Sequence, residues 1–96
     1  MSLKVRFSPE AKGDLEAIKA YIARDNPAAA DFLVLRIRKL MAILSGLPLL
    51  GKLSEEVDNV YKIPVRKSPY LIVYEIRPTE LWIVRVYHDA REDLHY

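Results

Sequence analysis

Two short sequences, Ser8-Pro9 and Asn26-Pro27, each place a proline directly after a good helix-capping residue. The capping side chain can accept a hydrogen bond from a free backbone N–H, and proline suits the first helical position, where no N–H donor is needed. Apolar residues at helical spacing follow both sequences. We therefore expect helices over about Pro9–Arg24 and Pro27–Ser45. The link between them is so short that they should form an antiparallel helical hairpin.

The second helix has two stop signals, Gly46 as a left-handed cap and Pro48 as a breaker. The segment that follows, Leu49–Asn59, contains the acidic stretch Glu55-Glu56-Val57-Asp58. We expect this segment to be a loop.

Four segments have the pattern of β-strands. Leu3–Phe7 and Val60–Val65 alternate apolar and polar residues, Tyr70–Ile76 is almost continuously apolar and should be central, and Leu81–Tyr87 is the last. The predicted fold is α+β with the order β-α-α-β-β-β, in which an antiparallel sheet carries the helical hairpin on one face.

Composition limits the class of protein. The 96 residues should form a single domain, residues 1–96, and the absence of cysteine excludes disulfides and thiolate zinc sites. No apolar run approaches the ~20 residues of a membrane helix, and the N-terminus lacks a signal-peptide core, so we expect a cytoplasmic protein without a membrane partner. A net charge of +2 is too small for a dedicated nucleic-acid coat protein.

Strand alternation assigns side chains to the two faces of the predicted sheet. Six are expected to face the helices: Tyr61, Ile63, Val65, Trp82, Val84 and Val86. Six are expected on the open face: Lys62, Pro64, Arg66, Ile83, Arg85 and Tyr87. Leu15, Leu40 and Trp82 should belong to the core. The open face has two readings, an ordinary solvated face or a surface for a partner or nucleic acid.

The segment SPEAKGDLEAIKAYIARDNPAAADFLVLRIRKLMAILSGLP resembles the helical hairpin of the RelE/ParE superfamily, the toxins of type II toxin–antitoxin modules. KIPVRKSPYLIVYEI followed by WIVRVYHDARED resembles the family's strand region, which ends in an H-x-x-R-[DE] element. The resemblance covers nearly the whole chain and rests on order, spacing and length. It implies a plasmid-stabilisation toxin without a cofactor. A cognate antitoxin would neutralise it and would connect it indirectly to operator DNA.

The superfamily implies three alternative functions. ParE-like members inhibit DNA gyrase, whereas RelE-like members cleave messenger RNA on the ribosome without metal. A third alternative is a non-toxic module that only binds antitoxin and aids operon repression. The SPEA start, the two long helices and the H-x-x-R ending favour the ParE-like branch, so whether the chain is an enzyme depends on the branch.

The resemblance also suggests site residues. For the target these are Arg66, Tyr70, Arg85, His88 and Arg91. For a ribonuclease, Arg66 and Arg91 would stabilise the charged transition state, and His95 or Tyr96 would move the proton. An acidic antitoxin could be held by Arg36, Arg38 and Lys39, with Lys62 and Ile83 as further contacts.

The tail offers one metal-like pattern. His88, Glu92 and His95 would share one face of a helical tail, a spacing that could bind zinc. A charged chain terminus explains the same residues more simply, so we predict no metal site.

Overall fold

The computed structural model describes residues 2–89 of the chain. The helices are α1 (Pro9–Ala23), α2 (Pro27–Gly46) and a 3-10 helix (Pro48–Leu50). The strands are β1 (Lys4–Phe7), β2 (Lys52–Leu53), β3 (Val60–Pro64), β4 (Tyr70–Ile76) and β5 (Glu80–His88). All five strands belong to one sheet in the order β1-β5-β4-β3-β2. The predicted α+β class and element order are confirmed, and β2 is an additional strand inside the segment predicted to be a loop.

Both helices begin where the capping sequences predict. The Ser8 hydroxyl accepts the Ala11 N–H at 3.0 Å, and the Asn26 side-chain oxygen accepts the Ala29 N–H at 3.1 Å. Each bond satisfies a backbone donor that the first helical turn leaves free.

The sheet is mixed, because β1 runs parallel to β5 while the other neighbours are antiparallel. The reason lies where α2 ends. The Leu3 N–H donates to the Ser45 carbonyl at 2.9 Å, and the Ser45 hydroxyl donates to the Leu3 carbonyl at 2.7 Å. The chain has thus returned to the start of β1 before the β3–β5 meander begins. β3 runs in the direction of β1, and after two reversals β5 does too.

The core lies between the helical hairpin and one face of the sheet. α2 contributes residues three or four apart, and the sheet contributes alternate residues. The members that are at most 8% exposed include Leu33, Ile37, Met41, Leu44, Ile63, Val65, Ile72, Tyr74, Leu81, Ile83 and Val86. Leu15 and Leu40 pack against this core and are half-buried.

The first half of β5 faces opposite to the prediction. Ile83, assigned to the open face, is fully buried in the core, whereas Trp82 is half-buried and outside the core. The Trp82 indole N–H donates to Glu80 at 3.0 Å, and the Arg77 guanidinium lies 4.6 Å from the centre of its ring. Ile83 is thus unavailable as an antitoxin contact.

A β-bulge causes this reversal. Val73 pairs with Arg85 but its neighbour Tyr74 pairs with Ile83, which leaves Val84 without a partner across the sheet. An inserted residue shifts the alternation by one position. The assignment of Val86, after the bulge, to the face that meets the helices is therefore correct, since Val86 is buried in the core.

The end of α2 also differs from the prediction. Gly46 is the last helical residue, and none of the described glycines has a positive φ. The positive φ values belong to Asn59 and Lys67, at 63° and 58°, in the turns on either side of β3.

A buried tyrosine holds the segment after α2. The Tyr74 hydroxyl donates to the Pro48 carbonyl at 2.8 Å and accepts the Gly51 N–H at 2.8 Å. A Cβ on Gly51 would lie 2.6 Å from the Tyr74 hydroxyl oxygen and 2.8 Å from the Lys62 carbonyl oxygen. Only glycine permits this close approach.

We expect Gly51→Ala to lower the free energy of unfolding by about 1–3 kcal/mol, because backbone and a buried ring must move to accommodate a methyl group. Gly13→Ala is the matched control, since no atom lies within 4 Å of its added Cβ. It should raise stability by about 0.5–1 kcal/mol, the usual gain for alanine in a helix. Urea unfolding followed by Trp82 fluorescence measures both. An unchanged midpoint for Gly51→Ala would contradict the close contact of Gly51 with Tyr74 and Lys62.

Candidate functional site

Three of the predicted target residues lie at one end of the sheet. Arg66 follows β3, Tyr70 begins β4, and His88 ends β5 directly opposite Tyr70. The Tyr70 and His88 rings meet edge to face, with centroids 5.5 Å apart. We call Arg66, Tyr70 and His88 the hairpin end.

Hydrogen bonds fix the turn that carries Arg66. The Ser68 hydroxyl donates to the Val65 carbonyl at 2.9 Å and accepts the Tyr70 N–H at 3.2 Å. Among residues 2–89, no carboxylate lies within ion-pair distance of Arg66 or Lys67, and both are exposed. The turn therefore presents two cations to solvent, and the planar guanidinium of Arg66 suits a phosphate or a carboxylate.

Arg85, also predicted to contact the target, is already engaged. Its Nε and a terminal nitrogen donate to the two carboxylate oxygens of Asp14 at 2.7 and 2.9 Å. One of those oxygens also accepts the Val86 N–H at 3.0 Å. The carboxylate on α1 thus joins the helix to β5 just after the bulge, and Arg85 serves this junction.

The junction shifts the pKa values of both side chains. Burial raises the pKa of Asp14, but the hydrogen bonds from Arg85 and Val86 outweigh burial and hold that pKa below its ordinary value. The hydrogen bond to Asp14 raises the pKa of Arg85, against the opposing effect of burial. Both groups are therefore charged at neutral pH. Spacing along one helix does not show that Asp14 has a partner on a distant strand, so the sequence alone does not identify this junction.

A cleft of about 450 Å³ lies behind the hairpin end, between α1 and β5. Tyr21 on α1 is 69% exposed and borders it together with Ile18, Tyr70 and His88. Burial, with a contribution from Tyr21, raises the pKa of Tyr70, so its hydroxyl stays protonated. The aromatic walls suit a flat or apolar group. Tyr21 was missed as a site residue because spacing along one helix does not show that it borders a cleft with Tyr70 and His88.

The residues predicted to hold an antitoxin do not form one cluster. Arg36 and Lys39 lie on the side of α2 that faces away from the core, while Arg38 lines a groove of about 600 Å³ between α1, α2 and β1. Lys62 is half-buried on the open face of the sheet, where it borders a separate cleft of about 420 Å³ with Lys52 and Glu55.

Several predicted residues lie outside the described range: Arg91, Glu92, His95 and Tyr96. Within residues 2–89, no cluster of three histidine or acidic side chains is placed to hold a metal ion. No helix in this range is long and apolar enough to cross a membrane.

The sequence matches a known toxin family along most of its length. Residues 5–93 match the family model described as the ParE toxin of the type II toxin–antitoxin system parDE. The chain belongs to the ParE toxin family. This establishes it as a type II toxin of the RelE/ParE superfamily and confirms the resemblance drawn from the sequence. No curated protein shows significant sequence similarity to it.

Solved structures share the fold of this ParE-family toxin. A chain of the chromosomal ParDE system from P. aeruginosa superimposes with a TM-score of 0.74 at 21% identity, covering 91% of this chain and 96% of that one. The RelBE2 complex from Mycobacterium tuberculosis gives 0.62 at 27% identity, with coverages of 92% and 99%. The E. coli DinJ–YafQ complex gives 0.68 at 12% identity, with coverages of 98% and 100%. All three come from toxin–antitoxin systems.

The Asp14 carboxylate predicts an acid-sensitive stability. Its folded-state pKa is lowered, so its contribution is fully present above the ordinary pKa near 3.8 and is lost as the pH falls through the lower folded value. Asp14→Asn should therefore be destabilised at pH 7 and should lose less stability than wild type between about pH 5 and pH 2. Asp31→Asn, at an exposed position on α2, should follow the wild-type curve. Urea midpoints across this pH range measure the effect. An equal change of the midpoint with pH in Asp14→Asn and in wild type would contradict it.

Proposed function

We propose that the protein inhibits DNA gyrase, that a cognate antitoxin neutralises it, and that it acts in the cytoplasm, where gyrase works. The family match over residues 5–93 carries this proposal. The ion pair between Arg85 and Asp14 supports the proposal. A ribonuclease needs free cations around a charged phosphorane, whereas the Arg85 guanidinium already binds both carboxylate oxygens of Asp14.

In this proposal the hairpin end contacts the target. Arg66 is exposed on a fixed turn and keeps its charge at any physiological pH. Tyr70 and His88 offer an aromatic edge next to it, and Arg91 is a further contact proposed from the family resemblance. Arg85 acts indirectly, by fixing the end of β5 that carries His88.

A second candidate is ribosome-dependent cleavage of messenger RNA. One observation favours it: the hairpin end combines an arginine with an imidazole, which are a cation for a phosphate and a group that can transfer a proton. His95 or Tyr96 would be the further proton-transfer candidates. We rank this function second because the family match is to ParE.

The proposed partner is an antitoxin, through which the toxin would reach operator DNA. Arg36 and Lys39 on the outer side of α2 and Arg38 in the groove beside α1 would favour acidic residues in that partner.

Two parallel assays test the proposal. We expect the purified protein to inhibit plasmid supercoiling by gyrase and to leave messenger RNA intact on translating ribosomes. Arg66→Ala should weaken inhibition at least about tenfold, the effect of losing one charge-assisted hydrogen bond. Arg77→Ala is the matched control, because Arg77 pairs with Glu75 at the opposite end of β4. Its inhibition should equal that of wild type.

Each other outcome contradicts the proposal in a distinct way. Cleaved messenger RNA with unaffected gyrase would establish the ribonuclease instead. Activity in neither assay, together with tight antitoxin binding, would indicate a non-toxic module that serves operon repression.

A further inference from the structure

Strand β1 covers only the first part of the outer edge of β5. It pairs with Glu80–Ile83 and ends at Phe7. The next part of that edge faces α1, because the Ser8 hydroxyl at the start of this helix donates to the Val84 carbonyl at 2.8 Å. Helix α1 thus replaces β1 as the neighbour of β5.

The cleft between α1 and β5 opens beyond the point where Asp14 joins the helix to the strand. Asp14 accepts the Val86 N–H at 3.0 Å, and β5 continues for two more residues to His88. Ile18 and Tyr21 follow Asp14 by one and two helical turns and therefore lie on the same side of α1. All five residues line the cleft of about 450 Å³.

The cleft has one fixed aromatic wall and one exposed aromatic rim. Tyr70 in β4 is 7% exposed and packs edge to face against His88. Tyr21 on α1 borders the same cleft and is 69% exposed. Because tyrosine rings lose little conformational freedom and offer a large contact area, they are typical anchors of protein–protein contacts.

The interior of the cleft suits an apolar or aromatic group. Asp14 and Arg85 both line it, and they neutralise each other in an ion pair. Ala17, Ile18 and Val86 add apolar walls. An isolated charge that entered the cleft would lose its hydration without gaining a free counter-ion, which costs affinity.

Two cations lie next to the cleft, in the turn before Tyr70. Arg66 and Lys67 are exposed there, and none of the ion pairs within residues 2–89 involves either of them. They suit a carboxylate adjacent to the group that enters the cleft.

We infer that the cleft is an anchor pocket for the target. It takes an aromatic side chain from a protein segment of gyrase, while Arg66 and Lys67 bind a carboxylate next to that side chain. Tyr21 is then a further target-binding residue, and its ring rather than its hydroxyl makes the contact. This inference rests on the proposed inhibition of gyrase.

A nucleobase fits the cleft less well than an aromatic side chain. A recognised base needs hydrogen-bond partners along its edge. Ala17, Ile18 and Val86 offer no side-chain donor or acceptor, and Asp14 and Arg85 already bind each other. A base in the cleft would leave polar groups unpaired, which weakens binding.

A substitution that fills the cleft tests the inference. Ala17 is exposed and borders the cleft, so Ala17→Trp adds a large ring there and leaves the core unchanged. The concentration that half-inhibits plasmid supercoiling should rise at least about tenfold, the loss expected when an anchor residue is excluded. Ala20→Trp is the control, at an exposed position that does not line the cleft, and should inhibit as wild type does. Thermal midpoints equal to that of wild type establish that both variants are folded.

Two substitutions of Tyr21 test the role of its ring. Tyr21→Ala should weaken inhibition at least about tenfold, because it removes one side of the aromatic contact. Tyr21→Phe keeps the ring and should inhibit as wild type does. An equal loss in Tyr21→Phe and Tyr21→Ala would contradict an aromatic contact, since the hydroxyl would then carry the binding.

Crosslinking identifies the group that enters the cleft. The chain has no cysteine, so Ala17→Cys creates a single attachment site for a short photocrosslinker. In a mixture with gyrase and plasmid, this derivative should capture a gyrase peptide in which an aromatic and an acidic residue lie close together. The same crosslinker on Ala20→Cys should not capture that peptide. Capture of plasmid DNA by Ala17→Cys, or of a gyrase peptide without an aromatic residue, would overturn the inference.

The outcomes separate this inference from the proposed function. Wild-type inhibition by both Ala17→Trp and Tyr21→Ala would overturn the inference and leave gyrase as the target. No inhibition by the wild-type protein would overturn both. Cleavage of messenger RNA that Ala17→Trp abolishes would assign the cleft to a nucleobase instead.

Discussion

The arrangement of this toxin depends on one carboxylate, Asp14, which lies on α1 and binds two groups of β5. It accepts two hydrogen bonds from Arg85 and one from the backbone of Val86. Both donors directly follow the bulge at Val84, where the strand shifts by one residue. These three hydrogen bonds thus couple the position of α1 to the bulge and to the strand end that carries His88. A partly buried ion pair with its hydrogen bonds completed can fix geometry even where its net stabilisation is small.

A second anchor supports the opposite side of the molecule. Tyr74 lies in the central strand, yet its hydroxyl holds Pro48 and Gly51 beyond the end of α2. Asp14 therefore supports the hairpin end, and Tyr74 supports the segment after α2.

The sequence predicted those features that depend on local physical rules. The caps Ser8 and Asn26 begin their helices as expected, because a capping side chain needs only backbone donors two or three residues away. The faces of Trp82 and Ile83 were reversed, because both residues are apolar and the pattern does not reveal a bulge between them and Val86. The parallel pairing of β1 was missed because it depends on where α2 ends. The hairpin end was predicted through the family resemblance, whereas Asp14 became identifiable as the partner of Arg85 only in three dimensions.

A double-mutant cycle on Asp14 and Arg85 tests the central claim, that this pair forms one structural unit. Unfolding free energies are needed for wild type, Asp14→Ala, Arg85→Ala and the double variant. Because the pair is bidentate and partly shielded, the account predicts a coupling energy of about 1 kcal/mol or more, with the double variant no less stable than Asp14→Ala alone. Additive losses would mean that the two side chains act independently, and they would contradict the assignment of Arg85 to the fold.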